Sequence, residues 1–160
     1  SKHKFEMPYL VDGNNVIGCF GVLDPDQHKS RKKLIDQLAT FVKVTRQKIR
    51  VVFDGAQDPE FPEGTKVKSV QIFYAKSGSD ADQRIKDIVK KSSSPRDIVV
   101  VSSDRDLAAF VCARGAKVIG SRYFRNELRK AQELLRISEK TNQSQKIDVD
   151  YWMNYFLDKR

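Results

Sequence analysis

Pro8-Tyr-Leu-Val-Asp12-Gly-Asn-Asn15 is the stretch from which the rest of this chain is read. Tyr9, Leu10 and Val11 form a short apolar run that Asp-Gly breaks at once, the pattern of a buried strand and not of a helix. Such a strand ends on a carboxylate and a glycine turn. In open α/β sheets, ligands bind at the C-terminal edge of the strands. Asp12 is therefore read as one member of an acidic cluster at that edge, and the cluster as the holder of a divalent metal.

The pattern recurs downstream. Residues 49–53 are a second apolar, β-branched run ended by Asp54-Gly55, and residues 98–101 run into Ser102-Ser103-Asp104. Residues 67–74 alternate and read as a third strand, with 117–119 as a last short one. Asp24-Pro-Asp-Gln leads into a helix to about Thr45, with Leu34, Leu38, Phe41, Val42 and Thr45 at helical spacing. Arg31, Lys32, Lys33 and Lys43 fall on its other faces and read first as solvated surface. One helix opens at residues 78–82 and runs to Lys91; another opens at 102–106 and closes at Arg114-Gly115. Residues 16–22 read as a loop. The connection after Asp54, with Pro59, Pro62 and Gly64, is long enough to be either functional or mobile. Residues 123–140 read as a charged amphipathic helix, followed by a terminal helix carrying Trp152, Tyr155 and Phe156. This alternation predicts one α/β domain over residues 7–160, a mainly parallel central sheet with helices on both faces. Residues 1–6 are read as an expression remnant or disordered leader.

At 160 residues the chain can bury a real core. No stretch approaches bilayer-spanning length, and the start lacks the apolar segment of a secretory signal. Cys19 and Cys112 are far apart with no metal-binding spacing, so free thiols in a reducing cytoplasm are expected. His3 and His28 alone give little basis for a histidine metal site. A net charge of +9 favours a polyanionic partner.

Asp12, Asp82 and Asp104 each fall at a strand end or in the first turn of the next helix. Three, six and seven residues beyond Asp82 stand Ile85, Ile88 and Val89; beyond Asp104 stand Leu107, Phe110 and Val111. Position i+7 lies nearly above i, so both aspartates sit toward the core side of their helices. Asp80 faces away, and Asp106 is intermediate. Asp54 either joins the cluster or stabilises its own turn. Ser79-x-x-Asp82 and Ser103-x-x-Asp106 also fit capping boxes, a competing structural role. Crowded carboxylates repel, and a bound cation relieves that repulsion. Oxygen donors without His or Cys suit Mg²⁺ or Mn²⁺, with Asp106 as a further ligand. In a basic protein such a site suggests phosphodiester hydrolysis by a metal-activated water, with no nucleotide cofactor. Asn15 either orients substrate or caps the turn after Asp12. Ser102 and Ser103 either contact phosphate or water, or serve only as strand-end and cap residues.

Leu-Val-Asp12-Gly-Asn-Asn15, Val-Val-Phe-Asp54, Ala81-Asp82-Gln-Arg-Ile85 and Ser103-Asp104, followed by a basic C-terminal helix, together resemble the YacP-like NYN-domain proteins of the PIN-like nuclease superfamily. The resemblance runs from about Tyr9 to about Glu139. It implies a Rossmann-like sheet with the first strand central and metal-dependent endonucleolytic cleavage of RNA, with messenger RNA on the ribosome as one substrate setting. By position it implies that Asp12 and Asp82 are the essential acids, Asp104 the later acidic residue and Asn15 the asparagine of the first motif. Asn14, Asp80 and Asp106 depart from the closest pattern; Ser-Asp-x-Asp is nearer to PIN nucleases in general.

An RNA path to the site would use Arg31, Lys32, Lys33, Lys66, Lys68, Arg105, Arg122, Arg125 and Arg129, with Tyr123 and Phe124 as stacking partners. Against those two stands the commoner role of aromatic residues in helix packing. Two other classes compete with the nuclease: a silent RNA- or ribosome-binding module, and a receiver-like phosphoacceptor built on Asp12, Asp54 and Ser102. A receiver wants a second acid beside Asp12 and a lysine ending the last strand, and this chain has neither.

Overall fold

The computed structural model describes residues 8–21 and 24–141. Within them, β1 (Pro8–Asp12), β2 (Lys48–Phe53), β4 (Val70–Tyr74), β5 (Val99–Val101) and β6 (Lys117–Ile119) pair in parallel, and β3 (Lys66–Val67) adds antiparallel to β4. The order is β3-β4-β2-β1-β5-β6, so β1 is central. Parallel strands buried on both faces need apolar residues at successive positions, which is why Tyr9–Val11 in β1 and Val99–Val101 in β5 are continuous rather than alternating. Tyr9 and Val11 point to one face, Leu10 to the other. The first face packs on α2 (Gln27–Thr45) and α5 (Ser121–Thr141); the second packs on α3 (Ala81–Lys91) and α4 (Arg105–Ala113). The chain is thus a single α/β domain with helices on both sides.

Two local expectations fail and a third is narrowed. Residues 16–22 are not simply a loop: α1 (Gly13–Ile17) begins directly after Asp12 and passes into a 3₁₀ turn, Gly18–Phe20. The helix can start there because position 13 is glycine. A Cβ on Gly13 would lie 2.6 Å from the Phe53 ring. Residues 67–74 are not one strand but a hairpin, turned by Lys68 and Ser69 at φ of 50° and 73°. The long connection after Asp54 is tied down, with Phe61 buried and Asp58 Oδ2 2.5 Å from His28 Nδ1. The terminal helix with Trp152, Tyr155 and Phe156, and the leader at 1–6, lie outside the described residues. Among the described residues no helix is long and apolar enough to cross a membrane.

Candidate active site

Asp12 ends the central strand and is only 8% exposed. Burial pushes its carboxyl up to about 6; bonds from Ser102 and the Asn15 backbone pull it down, and the negative charges of Asp54 and Asp82 add to the rise. Ser102, itself buried, donates through Oγ to Asp12 Oδ2 at 3.0 Å and accepts from the Asp104 N–H at 3.1 Å. Asp104 is therefore linked to Asp12 through one hydroxyl.

The asparagines after Asp12 fasten neighbouring loops to this edge. Asn14 Oδ1 accepts from the Asp54 N–H at 2.9 Å. Asn15 Oδ1 accepts from the Ser103 N–H and from Ser121 Oγ, and Ser103 Oγ accepts from the Ser121 N–H. Asn15 does not act through Oδ1 on a substrate, since that atom is shared by two donors. Ser121 and Asn14 carry no signal in the sequence beyond being polar at an element boundary.

Asp54 accepts from the Ala81 N–H at 2.7 Å, so it pins the start of α3 while its charge bears on Asp12. That bond also argues against Asp54 as a receiver's free phosphoacceptor. Neither capping box forms in the expected register. The caps are Asp80, accepting from Gln83, and Asp104, accepting from Leu107, one residue after each serine. Asp80, Asp104 and Asp106 are exposed, so the expected core-side placement holds for Asp82 and not for Asp104, which as the cap stands outside the helix's buried stripe. Asp82 sits in the first turn of α3 with Oδ2 3.0 Å from Lys86 Nζ, while its buried Oδ1 has no hydrogen-bond partner. Lys86, which nothing in the sequence singles out, is held protonated by that bond to Asp82, with the charges of Asp82, Asp106 and Asp104 adding to it.

Among the described residues no three Asp, Glu, His or Cys side chains stand together closely enough to hold an ion as placed. The geometry instead joins Asp12 to Asp54 and Asp82 by charge and to Asp104 by the Ser102 relay. Two features fit a hard divalent cation: the orphaned Asp82 Oδ1, and a buried Asp12 carboxylate on which the negative charges of Asp54 and Asp82 bear. A hydroxyl and a backbone N–H at Asp12 supply hydrogen bonds but no positive charge.

The basic and aromatic candidates divide sharply. Phe124 is fully buried, 5.8 Å from the Tyr9 ring and 5.2 Å from Phe41, so it is core and stacks on no base. Arg31 is buried too. It donates to the Asp54 and Ala56 carbonyls at 2.6 and 3.0 Å and lies over the Phe53 and Tyr74 rings, which removes it from the solvated face and from phosphate contact. Lys68 pairs with Asp36 at the far hairpin. Lys32, Lys33, Lys66, Arg105, Arg122, Tyr123 and Arg129 are exposed, and Arg125 is half-buried.

The family model described as YacP-like NYN domain matches residues 9–159. Two crystal structures of Rae1 (YacP) from Bacillus subtilis are similar. A point-mutant form gives a TM-score of 0.70 at 21% identity, covering 93% of this chain and 91% of that one. The other gives 0.68 at 26% identity, covering 84% and 82%. No curated protein matches the chain.

Proposed function

The chain belongs to the YacP-like NYN family of nucleases, and on that premise we propose that it is an endoribonuclease whose divalent metal sits at the Asp12 edge of the sheet. One observation carries this reading: a buried Asp12 carboxylate, raised to about 6 and subject to the charge of Asp82, whose own Oδ1 is unpartnered. A silent RNA-binding module gains nothing from either feature, because an unpaired buried oxygen costs about 1–3 kcal/mol.

Asp12 and Asp82 would hold the ion, with Asp104 and Asp106 at its rim. Magnesium is commonly bound through one or two carboxylates, with water and substrate phosphate completing its shell, so a third close protein ligand is not required. When bound, Mg²⁺ or Mn²⁺ supplies Lewis acidity to the scissile phosphate and a water of lowered pKa. The chain's own residues fix the acids: Ser102 Oγ and the Asn15 N–H hold Asp12, and Asp54 sets the start of the helix that carries Asp82. Asn15 Nδ2 and Ser103, at the same edge, would donate to a phosphate oxygen. Arg105 and Arg122, in the first turns of α4 and α5, would neutralise flanking phosphates. A cytoplasmic location is proposed from the free Cys19 and Cys112.

The test is end-labelled RNA incubated with the protein and Mn²⁺ or Mg²⁺. Internal cuts that chelator stops, and that Asp12→Asn and Asp82→Asn abolish, are expected. RNA of several sequences left intact by the metal-loaded wild type overturns the reading.

A further inference from the structure

Phe20 closes the 3₁₀ turn that continues from α1, and it is half-buried, packed by one side against the α2–α5 core. Lys33 Nζ lies 5.6 Å and Arg125 Cζ 5.7 Å from its ring centroid, one reaching over from α2 and the other from α5. These distances are at the outer limit of cation–π contact, where the attraction is weak enough to be exchanged. Among the described residues neither cation has an ion-pair partner. The ring also borders a cleft of about 500 Å³ together with Ile17, Pro25 and Lys29, a volume within the range of small-ligand sites. Asp24 lines the same cleft, its carboxylate accepting from the Asp26 N–H.

A partly exposed aromatic ring flanked by cations is a combination that holds single-stranded nucleic acid: the ring stacks a base, and the cations take the phosphates on either side. We infer that Phe20, with Lys33 and Arg125, is a stacking platform for one base of a single-stranded RNA. The base displaces Lys33, the more exposed cation, from the ring, and Lys33 turns to the adjacent phosphate. The platform is rigidly related to the acidic edge. Phe20 hangs from the helix that begins after Asp12, and Arg125 lies one turn beyond Ser121, which is bonded to Asn15. This places a fixed base contact off to one side of Asp12, so an RNA strand is held at a set distance from the cut. The choice of RNA as ligand rests on the nuclease reading above; the platform itself rests on the Phe20 geometry.

Binding and cutting are separated by measuring anisotropy of a labelled single-stranded RNA of about 12 nucleotides in chelator, where nothing is hydrolysed. Phe20→Leu keeps the core contact but removes the ring, and should weaken binding about five- to hundredfold, the effect of losing one base–aromatic stack. Lys33→Gln and Arg125→Gln should each reduce the slope of log affinity against log salt by about 0.7. Phe20→Trp should bind at least as tightly as wild type, with the indole emission it adds quenched on titration with RNA. If Phe20→Leu melts like wild type and binds equally well, or if the emission added by Phe20→Trp is unmoved by bound RNA, the platform is wrong. The same follows if the wild type fails to bind the oligomer or if only the two cation variants lose affinity. RNA that is bound through Phe20 but never cut with metal present would overturn the nuclease reading and leave the platform standing.

Discussion

Ser79-Asp80-Ala81-Asp82 and Ser103-Asp104-Arg105-Asp106 open two helices with one tetrapeptide pattern, yet the fold assigns their aspartates opposite parts. In α3 the first aspartate is an exposed cap and the second carries a buried, unpartnered oxygen. In α4 the first is both the cap and the neighbour of Ser102, and both aspartates are exposed. What differs is the register of the apolar stripe that follows. Ile85 and Val89 are in phase with Asp82, Leu107 and Val111 with Asp104. A Ser-Asp-x-Asp motif therefore marks a helix start, and the stripe behind it decides which acid lies in phase with the buried face.

Neutralising each acid in turn separates the two helices most clearly, and the caps survive it because asparagine caps about as well as aspartate. Asp82→Asn should lower RNA cutting by roughly hundredfold or more, the scale of losing a charge that acts on the transition state. Asp104→Asn should cost at least about tenfold, because its cap survives and its charge does not. Asp80→Asn should stay within about twofold. Equal losses at Asp80 and Asp82 would show that the register argument fails.

A second prediction concerns stability without metal. Asp12 has a folded-state value of about 6 against an ordinary 3.8, so between those values the folded state binds more protons than the unfolded one. Stability then falls as pH rises through that window, and the cost is complete above about pH 6, on the order of 3 kcal/mol. In chelator at neutral pH, Asp12→Asn should therefore be more stable than wild type by about 1–2 kcal/mol, less than the full cost because its bond from Ser102 is weakened. Urea midpoints across about pH 4–8 measure this, and the advantage should vanish near pH 4. Asp104→Asn should show no such gain, since Asp104 is exposed.

The smallest effect is expected at Lys86. Lys86→Met removes a half-exposed i,i+4 pair worth about 0.3–0.5 kcal/mol, and should leave the melting temperature nearly unchanged. It should raise Mn²⁺ affinity by a few-fold, because Asp82 no longer has to exchange an ammonium for the ion. Calorimetric titration of Mn²⁺ reads this, and weaker binding would mean that Lys86 supports the site and does not compete with it.

Much of the architecture is legible in the sequence because its causes are local. Ile98, Val99, Val100 and Val101 between polar Asp97 and Ser102 read as a doubly buried strand, and the phase of Ile85 and Val89 is set by helix geometry. The hairpin in residues 66–74 escapes such a reading because alternation runs straight through Lys68 and Ser69, and neither is the glycine or asparagine that usually marks a left-handed turn. Arg31 reads as solvated because charge next to Lys32 and Lys33 looks like a surface run. Its burial depends on two carbonyls and two rings contributed by β2, β4 and the loop after β2.

The family resemblance implied a central β1, which the strand order bears out; by itself the sequence determined that strands end in carboxylates and that helices begin with them. Those follow from periodicity and turn chemistry within a few residues of each site. Only the tertiary structure decided that Asp12 is deprived of water beside Asp54 and Asp82, that Asp104 reaches it through Ser102, and that Phe20 gathers Lys33 and Arg125. Desolvation and electrostatic coupling are sums over atoms from distant parts of the chain, and no stretch of sequence holds them alone.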